Sequence, residues 1–300
     1  MKIKLFTFLF TLVTGVGTLF ASNTQVGGIW YDFDGSNKTA SVTYRGEYCD
    51  SYYNEYSGSI SIPSSVRYNN VTYSVTSIGD QAFYGCSDLT SIEISNSVTS
   101  IKRYAFYSCY GLTSVVIPNS VKNIEECAFR FCSSLKSVVI PNNVVNIGDQ
   151  AFEDCSGLIS VDIGNSVKNI GSGAFGGCSS LASVTIPNSI ETMGYYAFQY
   201  CTALKSVYNY ATTPQEIDNE VFYGVEKSDC TLYVPEQSVD LYKSAKVWKD
   251  FGKIIGSQIP TLTNNPSVTS GESRKLLRNG NIYILTDDSR TYTLTGQKIR

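Results

Sequence analysis

The chain has 300 residues, of which 42% are hydrophobic and 16% charged, and its formal net charge is −3. It contains no histidine, which excludes Ser-His-Asp and Cys-His catalysis and the usual histidine-containing metal sites. No basic run marks a nucleic-acid-binding face. The composition is that of a folded domain, and it predicts no catalytic residue, cofactor, metal or nucleic-acid partner.

The first residues have the pattern of a secretory signal peptide. Two lysines precede an apolar run over residues 5–20, and Ala21 is a suitable cleavage residue. We predict a signal peptide over residues 1–21 and export of the rest, with an uncleaved N-terminal anchor as the alternative. No other apolar run approaches the length of a membrane span, so membrane contact is expected only through secretion or surface anchoring.

Residues 22–77 predict an N-terminal β cap that includes an incomplete repeat. Apolar residues alternate over 29–33 and again over 40–44, on either side of a turn at Asp34-Gly35. This pattern predicts a β-hairpin. Residues 60–63 then match part of the repeat that follows.

Residues 78–210 consist of six repeats with a constant step of 23 residues. Each contains Ala-Phe, a cysteine three residues later, a leucine three further on, and an aliphatic pair in alternate positions. So short a unit cannot bury its own apolar residues, so neighbouring units must stack around one continuous core. The pattern predicts a repeat solenoid of short parallel strands joined by turns or short helices. The asparagines at Asn142 and equivalent positions are expected to form a side-chain ladder.

The cysteines of the repeats predict buried thiols. Equivalent residues of stacked strands lie about 4.8 Å apart with parallel side chains, whereas the Cβ atoms of a disulfide converge to about 3.8 Å. We therefore predict six buried, unpaired thiols in a column: Cys86, Cys109, Cys132, Cys155, Cys178 and Cys201. Cys127 occupies a position where other repeats have glutamine, tyrosine or glycine, which predicts an exposed thiol without a metal or redox role.

Residues 211–256 predict a terminal repeat and a helical cap. Val221-Phe222 replaces Ala-Phe, and a last strand follows. The segment after that strand places Tyr242 and Trp248 on one face of a helix of about 14 residues. Such a helix would cover the apolar end of the array.

The remaining residues predict a linker and a tail. Residues 257–275 are rich in serine, threonine, proline and asparagine, as linkers are. Residues 276–300 form a C-terminal tail, which we interpret as a hairpin turning at Asp287-Asp288 or as a sorting segment.

The repeat I-x-x-x-A-F-x-x-C-x-x-L-x-x-V-x-I-P-N-S-V resembles the BspA-like leucine-rich repeat family, also called the Treponema pallidum type. The resemblance extends over residues 27–256. It implies a curved, right-handed leucine-rich-repeat solenoid, secretion or display on the bacterial cell surface, and adhesion to host proteins or other cells. The tail resembles C-terminal segments of secreted Bacteroidetes proteins, which implies delivery to the outer surface. Ligands vary within the family, so the resemblance assigns no binding residue.

Two sets of outward-facing residues are candidate binding surfaces. One column on the strands changes from repeat to repeat beside a column of constant serines: Glu93, Val116, Val139, Asp162, Thr185 and Tyr208. A regular scaffold with one variable column resembles a binding array. The alternative is the set of aromatic residues at the repeat turns, represented by Tyr104, Tyr107 and Tyr195. Drift at unconstrained surface positions would produce either pattern.

The sequence favours a non-enzymatic exported or cell-surface adhesion protein that binds a host or neighbouring-cell surface protein. The alternative is a structural or glycan-capturing surface component, in which exposed tyrosines stack on sugars. Two motifs suggest enzymes but belong to the repeat. Residues 171–176 match a dinucleotide-binding pattern only because they lie in register with the preceding turn. Glu125-Glu126 lies on a repeat turn without a cleft for glycoside hydrolysis.

Overall fold

The structure, a computed structural model, describes residues 20–45 and 54–257 and the strands within residues 274–299. Most of the predicted linker, the predicted turn at Asp287-Asp288 and all but the last two residues of the predicted signal peptide lie outside the described residues. None of the helices in these ranges has the length and apolar character needed to span a bilayer.

Short strands make up most of the described chain. Before the regular repeats lie six strands: β1 (Phe20–Val26), β2 (Ile29–Asp34), β3 (Thr39–Thr43), β4 (Gly58–Ile62), β5 (Ser65–Tyr68) and β6 (Val71–Ile78). The repeats contain the next strands: β7 (Leu89–Ile94), β8 (Ser100–Ile101), β9 (Ser114–Val116), β10 (Asn123–Ile124), β11 (Ser137–Ile140), β12 (Asn146–Ile147), β13 (Ser160–Ile163), β14 (Asn169–Ile170), β15 (Ser183–Ile186), β16 (Thr192–Met193) and β17 (Ser206–Asn209). After the repeats come the remaining elements: β18 (Thr231–Pro235), helix α1 (Val239–Ser244), β19 (Lys253–Ser257), β20 (Arg274–Arg278), β21 (Asn281–Leu285), β22 (Thr291–Thr293) and β23 (Lys298–Ile299).

Each repeat forms one coil of a solenoid, and two parallel sheets run along its length. One sheet contains β11, β13, β15, β17, β18 and β19, and the other includes β6, β8, β10, β12, β14 and β16. Val138 pairs with Val161, and Val161 pairs with Val184. Because equivalent residues of successive repeats are neighbours, the predicted solenoid with a 23-residue step is confirmed.

Side chains along the strands alternate between the core and the surface, as the sequence predicts. Leu112, Val115 and Ile117 are buried, whereas Val116 is 64% exposed. Successive side chains of a strand point to opposite faces, so the aliphatic pair of each repeat fills the core. The residue between them is left on the outside.

The phenylalanines of the Ala-Phe pairs form a continuous stack inside the solenoid. From Phe83 to Phe222, successive ring centroids lie 4.9 to 5.5 Å apart and ring planes deviate by at most 12°. Every ring of the stack is fully buried. Tyr56 contacts the first ring at 4.7 Å, and Trp248 and Phe251 contact the last ring at 5.8 and 5.4 Å. The stack therefore ends on other aromatic rings.

The backbone of the Ala-Phe turns is hydrogen-bonded from repeat to repeat. The N–H of Phe106 donates to the carbonyl oxygen of Ala128 in the next repeat at 2.7 Å. To present these groups, each turn places residues in the left-handed region, as at Tyr104 and Ser108 with φ of 57° and 58°. Glycine occupies such a position at Gly177, but a residue with a side chain there costs on the order of 1 kcal/mol.

The cysteines of the column are buried and unpaired, which confirms their predicted place in the core. Their thiols also donate hydrogen bonds that the sequence analysis did not anticipate. Cys132 Sγ lies 3.2 Å from the carbonyl oxygen of Phe106, and Cys155 Sγ lies 3.1 Å from that of Phe129. Burial raises the pKa of Cys132 well above its usual value, so this thiol stays protonated. The column joins each repeat to the one before it.

The prediction that Cys127 is exposed is wrong. Its exposed fraction is 1%, and its Sγ lies 3.4 Å from Gln150 Oε1. Tyr104 and Arg130 also contact the thiol. Equivalent turn positions lie side by side, so a short side chain is covered by longer ones on the neighbouring turns. Burial raises the pKa of Cys127, and the nearby Arg130 guanidinium opposes that shift.

An asparagine ladder exists, but at a different position from the one predicted. Asn142 and its equivalents are exposed. The ladder lies instead on the short strands of the second sheet. Asn146 donates to Asn123 Oδ1 at 3.2 Å, and Asn169 donates to Asn146 Oδ1 at 2.6 Å. Thr192 continues it by donating to Asn169 at 2.7 Å. Strand geometry aligns these amides. At the predicted position, Asn142 Oδ1 instead accepts the backbone N–H of Asn165 at 2.9 Å, so the contact there is with the backbone of the next turn.

The segment before the repeats contains the predicted hairpin. β2 and β3 pair antiparallel, with Tyr31 opposite Val42. β4 pairs in parallel with β7, with Ile60 opposite Ile92, as expected for an incomplete repeat. This segment also supplies Tyr56 at the end of the phenylalanine stack. Its function as a cap stays a prediction.

The segment after the repeats has a shorter helix than predicted. α1 spans six residues, so the prediction of a long helix is wrong. Ala245 is extended, with ψ of 137°, and Val247 has a φ of 68°, and neither conformation continues an α-helix. Tyr242 and Trp248 are nevertheless fully buried. Trp248 Nε1 donates to the Gln215 carbonyl oxygen at 2.8 Å, which holds this segment against the last coil.

The described strands of the tail form their own antiparallel sheet. β20, β21, β22 and β23 pair in chain order. β21 and β22 lie on either side of the predicted turn. A sorting role for the tail stays a prediction.

The phenylalanine stack predicts a large effect of shortening one ring. Replacing Phe129 with alanine should lower the free energy of unfolding by about 3–5 kcal/mol, because it opens a cavity and removes two stacking contacts. Replacing Tyr110 with alanine should change the free energy of unfolding by no more than about 0.5 kcal/mol, because this side chain is 50% exposed. Urea unfolding followed by circular dichroism measures both. A loss at Phe129 no larger than that at Tyr110 would contradict this packing.

The burial of the thiols predicts slow labelling. We expect a maleimide to modify none of the eight described cysteines rapidly in the folded protein, and all eight after unfolding. Cys127 should react first as denaturant is added, because only side chains on the turns cover it. A Cys49→Ser background removes the cysteine outside the described residues. Fast modification of Cys127 in the folded protein, detected by mass spectrometry, would contradict its burial.

Candidate functional site

The variable column predicted from the sequence lies on one continuous surface, the strand face. We define the strand face as the outward side of β7, β9, β11, β13, β15, β17, β18 and β19. Glu93 lies opposite Val116, Val139 opposite Asp162, and Thr185 opposite Tyr208. The register aligns the candidates within each of these three pairs, and the first pair lies on a three-stranded sheet with β4 that is separate from the sheet of β11 to β19.

The six residues differ in how much they expose. Val116 is 64% exposed and Val139 is 50% exposed, and Glu93 is also exposed. Asp162 and the residues that follow it in the column are half-buried. Two successive repeats thus expose a valine at the same position, and the repeat before them exposes a carboxylate there. Large exposed aliphatic side chains of this kind mark interaction surfaces when they lie together.

A tyrosine pair extends the strand face beyond the predicted column. The rings of Tyr208 and Tyr233 are stacked, with centroids 4.6 Å apart and planes 10° apart. Burial raises the pKa of Tyr208, and the adjacent Tyr233 raises it further. Ile255, 41% exposed, lies opposite Tyr233 on the last strand. The column therefore ends in two aromatic residues and an exposed aliphatic one.

Tyr210 and Asp162 add polar groups near this pair. Burial raises the pKa of Tyr210, and its neighbours Tyr208 and Asp162 raise it further. Burial and the neighbouring groups both disfavour the ionised form of these tyrosines. Their hydroxyl groups therefore stay neutral near neutral pH and can donate hydrogen bonds. The surface thus combines aromatic edges with hydroxyl groups.

The turn aromatics fall into two separate clusters. The N-terminal turn cluster contains Tyr84, Tyr104, Tyr107 and Phe131, and the C-terminal turn cluster contains Tyr195, Tyr196, Tyr200 and Tyr223. Tyr104 and Tyr107 lie 5.6 Å apart, as ring centroids, in the first cluster. Tyr195 belongs to the second, on the turn of a later repeat. The three residues proposed as an alternative site therefore do not form one site.

The N-terminal turn cluster is satisfied within the chain. Tyr84 and Tyr107 stack at 4.9 Å, and Phe131 contacts Tyr107 edge-on at 5.4 Å. The Arg130 guanidinium lies 4.8 Å from the centre of the Phe131 ring, and Arg130 Nε lies 2.7 Å from Glu153 Oε2. Burial raises the pKa of Glu153, while Arg130 acts in the opposite direction. The Arg130 guanidinium is therefore in contact with both the ring and the carboxylate.

Within the described residues, no group of three or more histidine, cysteine, aspartate or glutamate side chains is placed to hold a metal ion. A shallow pocket of about 570 Å³ lies at the C-terminal end, between residues 214–218 and α1. Its lining includes Ile217, Leu241 and Lys246.

The repeats match the family model for the BspA type leucine rich repeat region. The model matches in six copies, over residues 50–164 and 100–230. The chain belongs to this family. The match covers both turn clusters and the strand face from β7 to β17, and it ends before β18.

Solved structures of leucine-rich repeat proteins are similar to this member of the BspA type family. The leucine-rich repeat protein of T. pallidum is 27% identical, with a TM-score of 0.53, over 63% of this chain and 86% of that chain. One from Bacteroides ovatus is 23% identical, with a TM-score of 0.44, over 77% and 76%. A leucine rich cell surface protein from Faecalibacterium prausnitzii is 19% identical, with a TM-score of 0.41, over 79% and 95%. A comparison with curated proteins found no match.

A departure from the BspA type repeat explains why the sequence analysis did not predict Tyr233 and Ile255 on the strand face. Tyr233 lies two positions later than the 23-residue step from Tyr208 predicts, and Ile255 follows a further irregular coil. The aliphatic pair Leu232 and Val234, which is fully buried, was the available signal. Alternation about that pair places Tyr233 on the outside. Leucine-rich repeat solenoids are scaffolds that build extended interaction surfaces in this way.

Proposed function

We propose that this protein is an exported, non-enzymatic adhesion protein that binds a protein partner through its strand face. The observation that carries the proposal is the pair Val116 and Val139, which are 64% and 50% exposed at equivalent positions of successive repeats. Water contact with these side chains is unfavourable and has no structural purpose within the coil. Burial of both valines against a partner would remove this contact with water.

The tyrosines of the strand face favour a protein over a glycan. Tyr208 and Tyr233 are stacked face to face at 4.6 Å, so each ring covers a face of the other. One face of each ring is consequently unavailable to a ligand, which leaves the hydroxyl groups and the remaining ring surface. Sugar capture by stacking needs a free ring face. Edges, hydroxyls and valines together are typical of protein interfaces, in which an apolar centre is surrounded by hydrogen-bonding groups.

Export to the cell surface is supported by the N-terminal segment. Two lysines followed by an apolar run over residues 5–20 have the composition that secretion requires. A host or neighbouring-cell surface protein is then the partner class that an exported scaffold meets.

The proposed site predicts that two substitutions reduce binding and preserve the fold. Val116→Ser together with Val139→Ser should weaken binding at least tenfold, about 1.4 kcal/mol, because both apolar contacts are lost. The thermal midpoint should be almost unchanged, because both side chains point away from the core. A panel of purified host matrix proteins and a glycan array supply the ligands, and surface plasmon resonance measures affinity.

Val145→Ser is the matched control, because Val145 is 37% exposed but lies outside the strand face. It should leave affinity unchanged. Tyr104→Ser with Tyr107→Ser, and separately Tyr195→Ser, test the turn aromatics against the same ligand. Loss of binding only in the turn variants would refute the strand-face site. Binding to glycans alone would support the glycan-capturing component instead.

A further inference from the structure

Tyr200, in the C-terminal turn cluster, stands between two glycines. The equivalent residues of the coils before and after it are Gly177 and Gly224. Neighbouring turns are hydrogen-bonded here, with the N–H of Tyr200 donating to the carbonyl oxygen of Tyr223 at 2.8 Å. Tyr200 is 51% exposed. Its ring is therefore accessible on a part of the turns where the equivalent residues on both sides have no side chain.

The next coil holds the Tyr200 ring in place. A Cβ atom on Gly224 would lie 2.5 Å from Cδ1 and 2.8 Å from Cε1 of this ring, so only glycine leaves room for the ring there. Tyr223 contacts the same ring, with centroids 5.5 Å apart and planes at 79°. Both contacts come from the C-terminal side. The exposed part of the ring therefore faces outward and toward the preceding coil.

A carboxylate and an amide lie on the N-terminal side of the ring. The Asp154 carboxylate occupies the space above Gly177 that a side chain would otherwise fill. Gln199 Nε2 lies 3.1 Å from the position of a Cβ atom on Gly176, so the amide lies over that glycine. Among the residues that the structure describes, no lysine or arginine forms an ion pair with Asp154. A ligand at the ring would therefore meet an unneutralised acceptor and an amide.

The size and chemistry of this place suit a sugar ring. Adjacent coils lie about 4.8 Å apart, so the carboxylate above Gly177 and the ring above Gly224 are separated by roughly 10 Å, enough for one pyranose between them. The C–H groups of a pyranose face pack on the electron-rich face of an aromatic ring, while its hydroxyls bond to carboxylate and amide groups. A protein interface needs a wide apolar centre instead. Here the neighbours of Tyr200 are glycines and polar groups.

We propose that this place binds a pyranose unit of a glycan, with the C–H face of the sugar on the Tyr200 ring and its hydroxyls bonded to Asp154 and Gln199. The strand face lacks such a place, because its two tyrosines stack on each other. The sugar site is separate from the strand face and does not depend on the function proposed for that face.

The test uses the full chain, with isothermal titration calorimetry as the measurement. The probes are cellohexaose, laminarihexaose, mannohexaose and chitohexaose, whose pyranose rings differ in linkage and substituents, and at least one should bind. Tyr200→Gly should weaken that binding about tenfold, as expected for an aromatic anchor. It should preserve the fold, because glycine suits the backbone φ of 52° at this position. Tyr200→Phe keeps the ring and should retain binding.

Asp154→Gly removes the carboxylate at a position where φ is 57°, and should weaken binding roughly fivefold through the lost hydrogen bond. Tyr110→Ala removes an exposed ring from another turn and should leave the affinity unchanged. Val116→Ser with Val139→Ser should also leave it unchanged, which separates this site from the strand face. Sorbitol, an open chain without a rigid C–H face, should not bind.

Two results would overturn the proposal. One is the absence of binding to every oligosaccharide of the set, and the other is equal affinity of Tyr200→Gly and the unmodified protein for the one that binds. If no oligosaccharide binds and Tyr200→Gly weakens binding of the protein ligand found for the strand face, the ring belongs to a protein interface instead.

Discussion

The in-register stacking of equivalent residues is the constraint on which the rest of the structure depends. Each residue of a coil has its own counterpart as a neighbour in the next coil, at the spacing of adjacent strands. A residue type is therefore selected for contact with itself. Phenylalanine stacks on phenylalanine, asparagine bonds to asparagine, and a thiol donates to the carbonyl of the preceding repeat. Without that register, none of these columns would form.

The same constraint shapes the surface. Residues that face solvent are also arranged in columns, with one residue from each repeat. A substitution in one repeat therefore changes one position of a column and leaves the others as they were. On the strand face this produces a strip that begins with Glu93 and ends with Ile255, and on the turns it produces two clusters separated by small residues. The chemistry of each surface is a local departure from the repeat, while the backbone beneath it barely changes.

The repeat made the fold and the core predictable, because periodicity alone identifies the stacked unit and its inward positions. It did not settle what covers a short side chain. Cys127 is buried by Gln150 and its neighbours on adjacent turns, and that contact depends on side-chain length across coils. The helix after the repeats was overestimated because an apolar face was visible, whereas the left-handed backbone at Val247 was not. For the candidate site, the 23-residue step of the repeat predicted the column up to Tyr208. It did not predict Tyr233, because the spacing between equivalent residues changes after Tyr208.

The thiol column has a consequence for how the chain must mature. Its sulfur atoms are protected only by folding, since burial keeps them protonated and out of reach. In an oxidising compartment, an unfolded chain would expose the same cysteines at regular intervals, and pairs of them would be free to crosslink coils out of order. Such links would block folding until they are reduced or exchanged, because the folded coil holds the sulfurs parallel. In such a compartment, folding would have to be faster than oxidation, so the rate of coil assembly would limit the yield of native protein.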